Sequence, residues 1–194
     1  MIDKKNITGL ILAGGKSSRM GIDKGMLMFH GRSFIQHSID ALHPLVSEII
    51  IVSNNTDHDI FGLLRIEDVI RNAGPLAGVY TGLVHSKTDY NLVLSCDVPL
   101  IKPEILKILL AKVESDSEIV QIMSDGKKNP LIALYKKQCK ELFKELLQKG
   151  ERRLQYAVSQ CKVKTIALDF KYDLHTTNIN TIKEFKLVKN ANKN

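Results

Sequence analysis

The sequence predicts one α/β domain built on a mostly parallel sheet, and three observations carry that expectation. Residues 7–13, 48–53 and 90–95 are compact aliphatic or β-branched segments of the kind found in strands buried on both faces. Helical patterns separate these segments, and such alternation favours parallel strands joined by right-handed crossovers. The first strand runs directly into a glycine-rich stretch, Leu12-Ala13-Gly14-Gly15-Lys16-Ser17-Ser18-Arg19-Met20-Gly21-Ile22-Asp23-Lys24, and open parallel sheets collect ligands at such strand ends.

Each element has its own signal. Ser33 with Gln36 forms a capping-box pattern ahead of Phe34-Ile35 and the apolar residues 39–42, which starts the first helix. Pro75 stands where a helix over about 76–84 begins, since its missing N–H costs nothing in a first turn. After Asp97, a helix over about 103–113 precedes a strand near 119–123. A turn at Asp125-Gly126 then leads to a strand near 131–135, so the later sheet is expected to contain an antiparallel pair. Helices over about 138–149 and 154–160 follow, then a strand over 163–168 and a closing helix capped by Thr181 with Glu184. Residues 189–194 are expected to fray, and no repeat or low-complexity linker interrupts the chain.

Composition narrows the function classes. At 194 residues and 44% hydrophobic content, the chain suits one domain with a substantial core and leaves no room for a second full one. The net charge of +7 favours anionic ligands, but the lysines are dispersed and no stacking aromatics interleave them. A solvated basic surface is therefore expected, without nucleic-acid binding. Cys96, Cys139 and Cys161 are odd in number and widely spaced, against both a disulfide framework and a CxxC zinc site. None of the six histidines forms an H-x-x-x-H pair. With no leader-like apolar region and no apolar run of about 18 residues, the expected location is cytoplasmic, away from membranes.

The glycine-rich stretch reads as a cradle for a nucleoside triphosphate. Adjacent Gly14 and Gly15 let backbone N–H groups approach phosphate oxygens, while Lys16, Arg19 and Lys24 supply countercharge. It is not a Walker A loop, which would need glycine where Leu10 stands, nor the G-x-G-x-x-G dinucleotide fingerprint. Other polar clusters also fall at strand ends: Ser53-Asn54-Asn55 and Cys96-Asp97-Val98-Pro99. One mouth can hold them all. Asp97 is the candidate Mg²⁺ ligand, because a carboxylate after a buried strand can share the ion with phosphate oxygens; its bland alternative is a turn aspartate before Pro99. Asp68 follows a short strand and is either a nucleotide contact or merely solvated. Gly74-Pro75-Leu76-Ala77-Gly78 brings backbone close to a ligand or simply packs a helix on the sheet. Arg152-Arg153 can grip an acceptor phosphate or end a helix, and Asn54, Asn178 and Asn180 are ordinary turn residues in isolation. No Ser-His-Asp or Cys-His arrangement emerges. Phosphoryl-type transfer tolerates that, because a phosphate monoester with a second pKa of about 6 is already largely dianionic at neutral pH.

The stretch 12–24, together with 74–78, 95–99, Gly150-Glu151-Arg152-Arg153 and Asn178-Ile179-Asn180-Thr181, resembles the molybdenum cofactor guanylyltransferase (MobA) family over most of the chain. The first segment fits the family pattern L-A-G-G-x-S-S-R-M-G-x-D-K throughout. The resemblance implies a single Rossmann-like nucleotidyltransferase domain over residues 1–194, three-layered α/β/α, with a nucleotide-binding half to about residue 100 and an acceptor-binding half beyond it. It implies transfer of GMP from GTP to molybdenum-bearing molybdopterin, with release of diphosphate. Leu12, Ala13, Gly14, Gly15, Lys24, Asn54, Asp68 and Gly78 would bind GTP; Asp97 would hold Mg²⁺; Arg19, Lys24 and Asp97 would carry catalysis. Arg152, Asn178 and Asn180 would face molybdopterin. Thr176 and Ile182 depart from the family's aromatic residue and proline around its N-x-N-T segment. Transient contacts with molybdopterin-loading proteins and apo-molybdoenzymes are implied as well. A cytidylyltransferase on the same acceptor is the neighbouring reading, although Ala13-Gly14-Gly15 leans toward guanine; a non-catalytic nucleotide-binding regulator is the alternative of a different class.

Overall fold

The first strand, β1 (Ile7–Leu12), is buried along its whole length and lies inside a seven-stranded sheet. The structure is a computed structural model that describes residues 2–14, 23–70, 73–181 and 183–186. After β1 come a two-stranded hairpin, β2 (Met28–Phe29) and β3 (Arg32–Ser33), then α1 (Phe34–Leu42), β4 (Glu48–Val52), β5 (Leu64–Ile66), α2 (Gly74–His85) and β6 (Tyr90–Ser95). The remainder comprises α3 (Pro103–Ala111), β7 (Ile119–Ser124), β8 (Lys127–Lys136), α4 (Cys139–Gln148), α5 (Leu154–Ser159) and β9 (Val163–Ala167).

The strand order is β5-β4-β1-β6-β8-β7-β9. From β1 the chain steps outward through β4 to β5, then returns to the other side of β1 as β6. Crossovers diverge at that reversal, which opens a crevice beyond the carboxyl ends of β1 and β6. Register brings these ends level: Leu12 pairs with Val52 on one side and Ser95 on the other. Backbone bonds continue the ladders into the mouth, from Ala13 N–H to Val52 O (3.0 Å), Cys96 N–H to Leu12 O (3.1 Å) and Ser53 N–H to Ile66 O (2.9 Å).

The expected antiparallel pair is present, as β8 runs against both β6 and β7 while every other pairing in the sheet is parallel. β8 is longer than the sequence suggested. Its register jumps from Gln121↔Ala133 to Ile122↔Asn129, which leaves Pro130 inside a bulge where a residue without an N–H breaks no ladder bond. Asp125 (φ 48°) and Gly126 (φ 69°) form the tight turn that returns the chain.

Helices cover both faces, giving the three layers. α1 and α3 pack Ile35, Leu42, Ile105 and Leu109 against Ile11, Ile51 and Leu94. On the opposite face, α2, α4 and α5 pack Leu76, Val79, Phe143 and Ala157 against Leu10, Val93 and Tyr135. Gly82 of α2 lies so close to β1 that an added Cβ would stand 2.6 Å from Leu10 Cδ1. Ser33 caps α1 by accepting from Gln36 N–H at 3.2 Å, but the Gln36 amide turns to Asp40 instead of reaching back, so half of the capping box forms. The closing box is complete: Glu184 accepts from Thr181 N–H at 2.9 Å and donates its own N–H to Thr181 Oγ1 at 3.1 Å. Among the described residues, no helix is long and apolar enough to cross a membrane.

Phe143 is fully buried, with its ring 6.1 Å from that of Tyr135. Phe143→Ala should cost about 3–5 kcal/mol of unfolding free energy in urea denaturation. A loss below about 1 kcal/mol would contradict a closely packed α4 face.

Candidate active site

A cleft of about 500 Å³ occupies the crevice at the ends of β1, β4 and β6. It is lined by Leu12, Ala13 and Gly14 after β1, by residues 52–55 after β4, by Asp68, by Gly74, Pro75 and Gly78 of α2, and by Ser95 and Leu131. Six of the expected nucleotide contacts, Leu12, Ala13, Gly14, Asn54, Asp68 and Gly78, therefore share one wall system. Gly15 and Arg19 lie outside the described residues, as do Lys16 and Ile182.

The glycines admit a carboxylate. A Cβ on Gly14 would come within 3.4 Å of Asp68 Oδ2, and one on Gly78 within 3.6 Å of Asp68 Oδ1. Asn54 clasps Asp68 at two points: its Oδ1 accepts from Asp68 N–H at 3.0 Å, and its Nδ2 donates weakly to Oδ2 at 3.4 Å. Asp68 Oδ1 is buried without a hydrogen-bond partner. Burial raises the Asp68 carboxyl above the usual aspartate range, and the Asn54 bond only partly opposes it. Beside it, α2 begins at Gly74 (φ 75°) with no side-chain cap, so its first N–H groups and its positive end face the cleft mouth.

Asp97 and Lys24 are not among the residues that line the cleft, although Asp97 lies two positions beyond Ser95, which does line it. Asp97 follows β6, and burial lifts its carboxyl above the ordinary range despite opposing contributions from the Ser95 side chain and the Lys24 charge. Its Oδ1 is also buried and unpartnered, while Oδ2 receives Asn178 Nδ2 at a long 3.5 Å. Lys24 Nζ donates to Asn180 Oδ1 at 2.8 Å. The C-terminal segment is thus drawn onto the same charges, and Ile179 N–H bonds Asp97 O at 2.8 Å to hold it there. Glu184 anchors it from below by accepting from Asn180 N–H at 2.7 Å. Asn178 and Asn180, read from sequence as acceptor contacts, meet Asp97 and Lys24 directly in this arrangement.

Arg152 lies beside the cleft through its backbone: a Cβ on Gly74 would be 3.5 Å from Arg152 O. Its guanidinium folds back onto the Leu147 and Glu151 carbonyls at 3.0 Å each and caps the end of α4. Arg153 pairs with Glu151 and lies over the Tyr156 ring. Two neighbours of the site escaped sequence reading. Asn55 and His58 both reach Asp23, the residue before Lys24. Asn55 was legible only as the second half of an Asn pair, and a lone histidine in a polar segment carries no signal. No cluster of three or more His, Cys, Asp or Glu side chains suited to a metal occurs among the described residues.

Residues 9–162 match the family described as the MobA-like NTP transferase domain. A Flavobacterium johnsoniae protein named probable molybdenum cofactor guanylyltransferase is 34% identical over 180 residues, spanning 93% of this chain and 95% of its own length. A Clostridium perfringens protein of the same name is 36% identical over 185 residues, with 91% and 92% covered. The solved structure of molybdopterin-guanine dinucleotide biosynthesis protein A from Archaeoglobus fulgidus superposes with a TM-score of 0.80 at 20% identity, covering 95% of this chain and 97% of that one. The same fold recurs in 4-diphosphocytidyl-2C-methyl-D-erythritol synthase from Anaerococcus prevotii, with a TM-score of 0.76 at 14% identity over 100% and 98% of the two chains. With the glycine-lined cleft and its buried Asp68 at the sheet's reversal, the match over residues 9–162 establishes that the chain belongs to the MobA-like NTP transferase family.

Proposed function

We propose that this protein transfers GMP from GTP to the terminal phosphate of molybdenum-loaded molybdopterin, forming the guanine dinucleotide cofactor and releasing diphosphate. The observation that carries this reading is the convergence of Gly14, Asn54, Asp68 and Gly78 in one cleft, with the charge of Lys24 acting on Asp97 beyond the end of β6. The curated relatives bear the corresponding name.

Leu12, Ala13, Gly14 and Gly78 bring backbone against the nucleotide, with Gly15 assigned the same part from the sequence, and Asp68 offers its unpartnered oxygen to a hydroxyl or N–H donor of it. Lys24, with Arg19, offsets charge on the triphosphate as two anions approach. Asp97 suits Mg²⁺, since it presents a hard oxygen donor that is buried and unpartnered. When bound there, the ion supplies charge neutralisation at the phosphates. Arg152, Asn178 and Asn180 are assigned to the acceptor side, which comprises about residues 101–194. The ties from Asn178 to Asp97 and from Asn180 to Lys24 support placing the acceptor phosphate at that boundary. The attacking phosphate is largely dianionic at neutral pH, so positioning replaces a general base. Contacts with proteins that deliver molybdopterin or receive product follow from the same reading.

The direct test is diphosphate release from GTP or from CTP, each supplied with Mg²⁺ and molybdenum-loaded molybdopterin. Release with GTP alone is expected; release with CTP alone would replace guanylyl by cytidylyl transfer, and nucleotide binding without release would indicate a regulator.

Two substitutions probe the carboxylates. Because folding raises the Asp97 pKa, the folded state holds that proton more tightly. Its stabilising effect is present at low pH and lost as pH rises through the folded value, so the ionised group costs stability at neutral pH. Asp97→Asn should therefore raise the Tm of the nucleotide-free protein at neutral pH, with the gain vanishing as pH falls below the ordinary aspartate pKa of about 3.9. Turnover should fall on the order of a hundredfold. Asp68→Ala should raise KM for GTP roughly tenfold with a smaller change in kcat, as measured by steady-state kinetics.

A further inference from the structure

His58 belongs to the 3₁₀ segment Thr56–Phe61 that follows β4, and its side chain is 0% exposed. An imidazole so placed loses water on both ring nitrogens, which is unfavourable unless a polar group replaces it. The charged group it meets is Asp23, with Nε2 3.1 Å from Oδ2, within ion-pair distance, although neither ring nitrogen has a partner in hydrogen-bond geometry among the described residues. Asp23 is a joint of several strands of chain. Its Oδ2 also accepts from Asn55 Nδ2 at 2.6 Å, and its Oδ1 accepts from Gly25 N–H at 2.7 Å. Burial alone would raise the Asp23 carboxyl, but bonding and charge from His58, the Asn55 amide and the Gly25 N–H outweigh it and bring it down to about 2.

The joint has a directional consequence. Asp23 caps the short 3₁₀ turn Lys24–Met26, and Gly25 is pressed under Ile35, where a Cβ would come within 2.6 Å of Cδ1. The backbone that carries Lys24 is thus fixed from one side by Ile35 and from the other by Asp23, and the Lys24 ammonium leaves it toward Asn180 and Asp97. A purely space-filling residue at position 58 would be apolar; this one sets a ring nitrogen 3.1 Å from a carboxylate oxygen one residue from the site's lysine. We propose that His58 is a positioning residue which, by holding Asp23, fixes the backbone from which Lys24 reaches the phosphates. The role rests on the guanylyl-transfer reading.

The test compares His58→Leu, an apolar plug, with His58→Gln, which retains a side-chain N–H donor, in the full-length protein. Hydrogen exchange without nucleotide reads the joint itself, and diphosphate-release kinetics read its effect on GTP. His58→Leu should lose protection at Gly25 and lower kcat/KM for GTP about ten- to a hundredfold. His58→Gln should recover most of both. Phe143→Ala, destabilised far from the joint, should keep wild-type KM for GTP and wild-type Gly25 protection. Wild-type protection and kinetics in His58→Leu, or a Gln variant no better than Leu, would overturn the proposal. A protected Gly25 in wild-type protein that turns over no GTP would overturn the guanylyl-transfer reading, and with it the joint's part in phosphate handling.

Discussion

Moving a carboxylate out of water is unfavourable unless a donor or cation takes the water's place, and the region at the strand ends is organised around two carboxylates for which that exchange is incomplete. Asp68 and Asp97 each keep one buried oxygen without a partner. Asn54 and Asn178 reach the other oxygens through long contacts of 3.4 and 3.5 Å, with the Ser95 side chain adding to the support of Asp97. The protein thus holds acceptor capacity in reserve at two points of one crevice, at a cost in its own stability. A ligand bearing hydroxyl or N–H donors and a divalent cation would complete both.

The sheet makes that arrangement possible. β1 is paired on both sides by parallel strands whose ends are level with its own, so Gly14, Ser53 and Ser95 emerge together. The reversal of strand order at β1 leaves the crevice open, and the close approach of α2 to β1 at Gly82 brings the uncapped start of that helix to its rim. The second half of the chain closes the far side. The bulge in β8 sets Leu131 in the cleft wall, and the segment 178–181, locked by Glu184, lies across Asp97 and Lys24. Segments far apart in the sequence are thereby interlocked at the charges.

Elements whose signals are local were legible in the sequence. The runs 7–13, 48–53 and 90–95 became β1, β4 and β6 because a both-face-buried strand needs an unbroken apolar run, and Pro75 and Pro103 marked helix starts. β5 has only three residues and one partner strand, and β2 and β3 have two residues each, too short for a periodic signal. The true length of β8 was not legible because Lys127, Lys128 and Pro130, which lie between the Asp125-Gly126 turn and the expected strand start at 131, carry no strand signal yet belong to a bulged strand. Glycine spacing and a strand-end acid singled out Gly14, Gly78 and Asp68, which the fold gathers in one cleft, whereas Asp97 was singled out in the same way and lies outside the lining. The contacts of Asn180 with Lys24, 156 positions apart, and of His58 with Asp23 depend on how distant loops meet, and no spacing rule in a single chain encodes them.

The central claim is that the cleft is a guanine nucleotide site whose affinity depends on a cation at the buried carboxylate. Calorimetric titration of the purified protein with GTP, CTP and ATP, each with Mg²⁺ and again after chelation, addresses it most directly. GTP binding that exceeds CTP and ATP and weakens at least about tenfold without Mg²⁺ is the predicted result. Indifference to the base, preference for CTP, or GTP affinity untouched by chelation would contradict it.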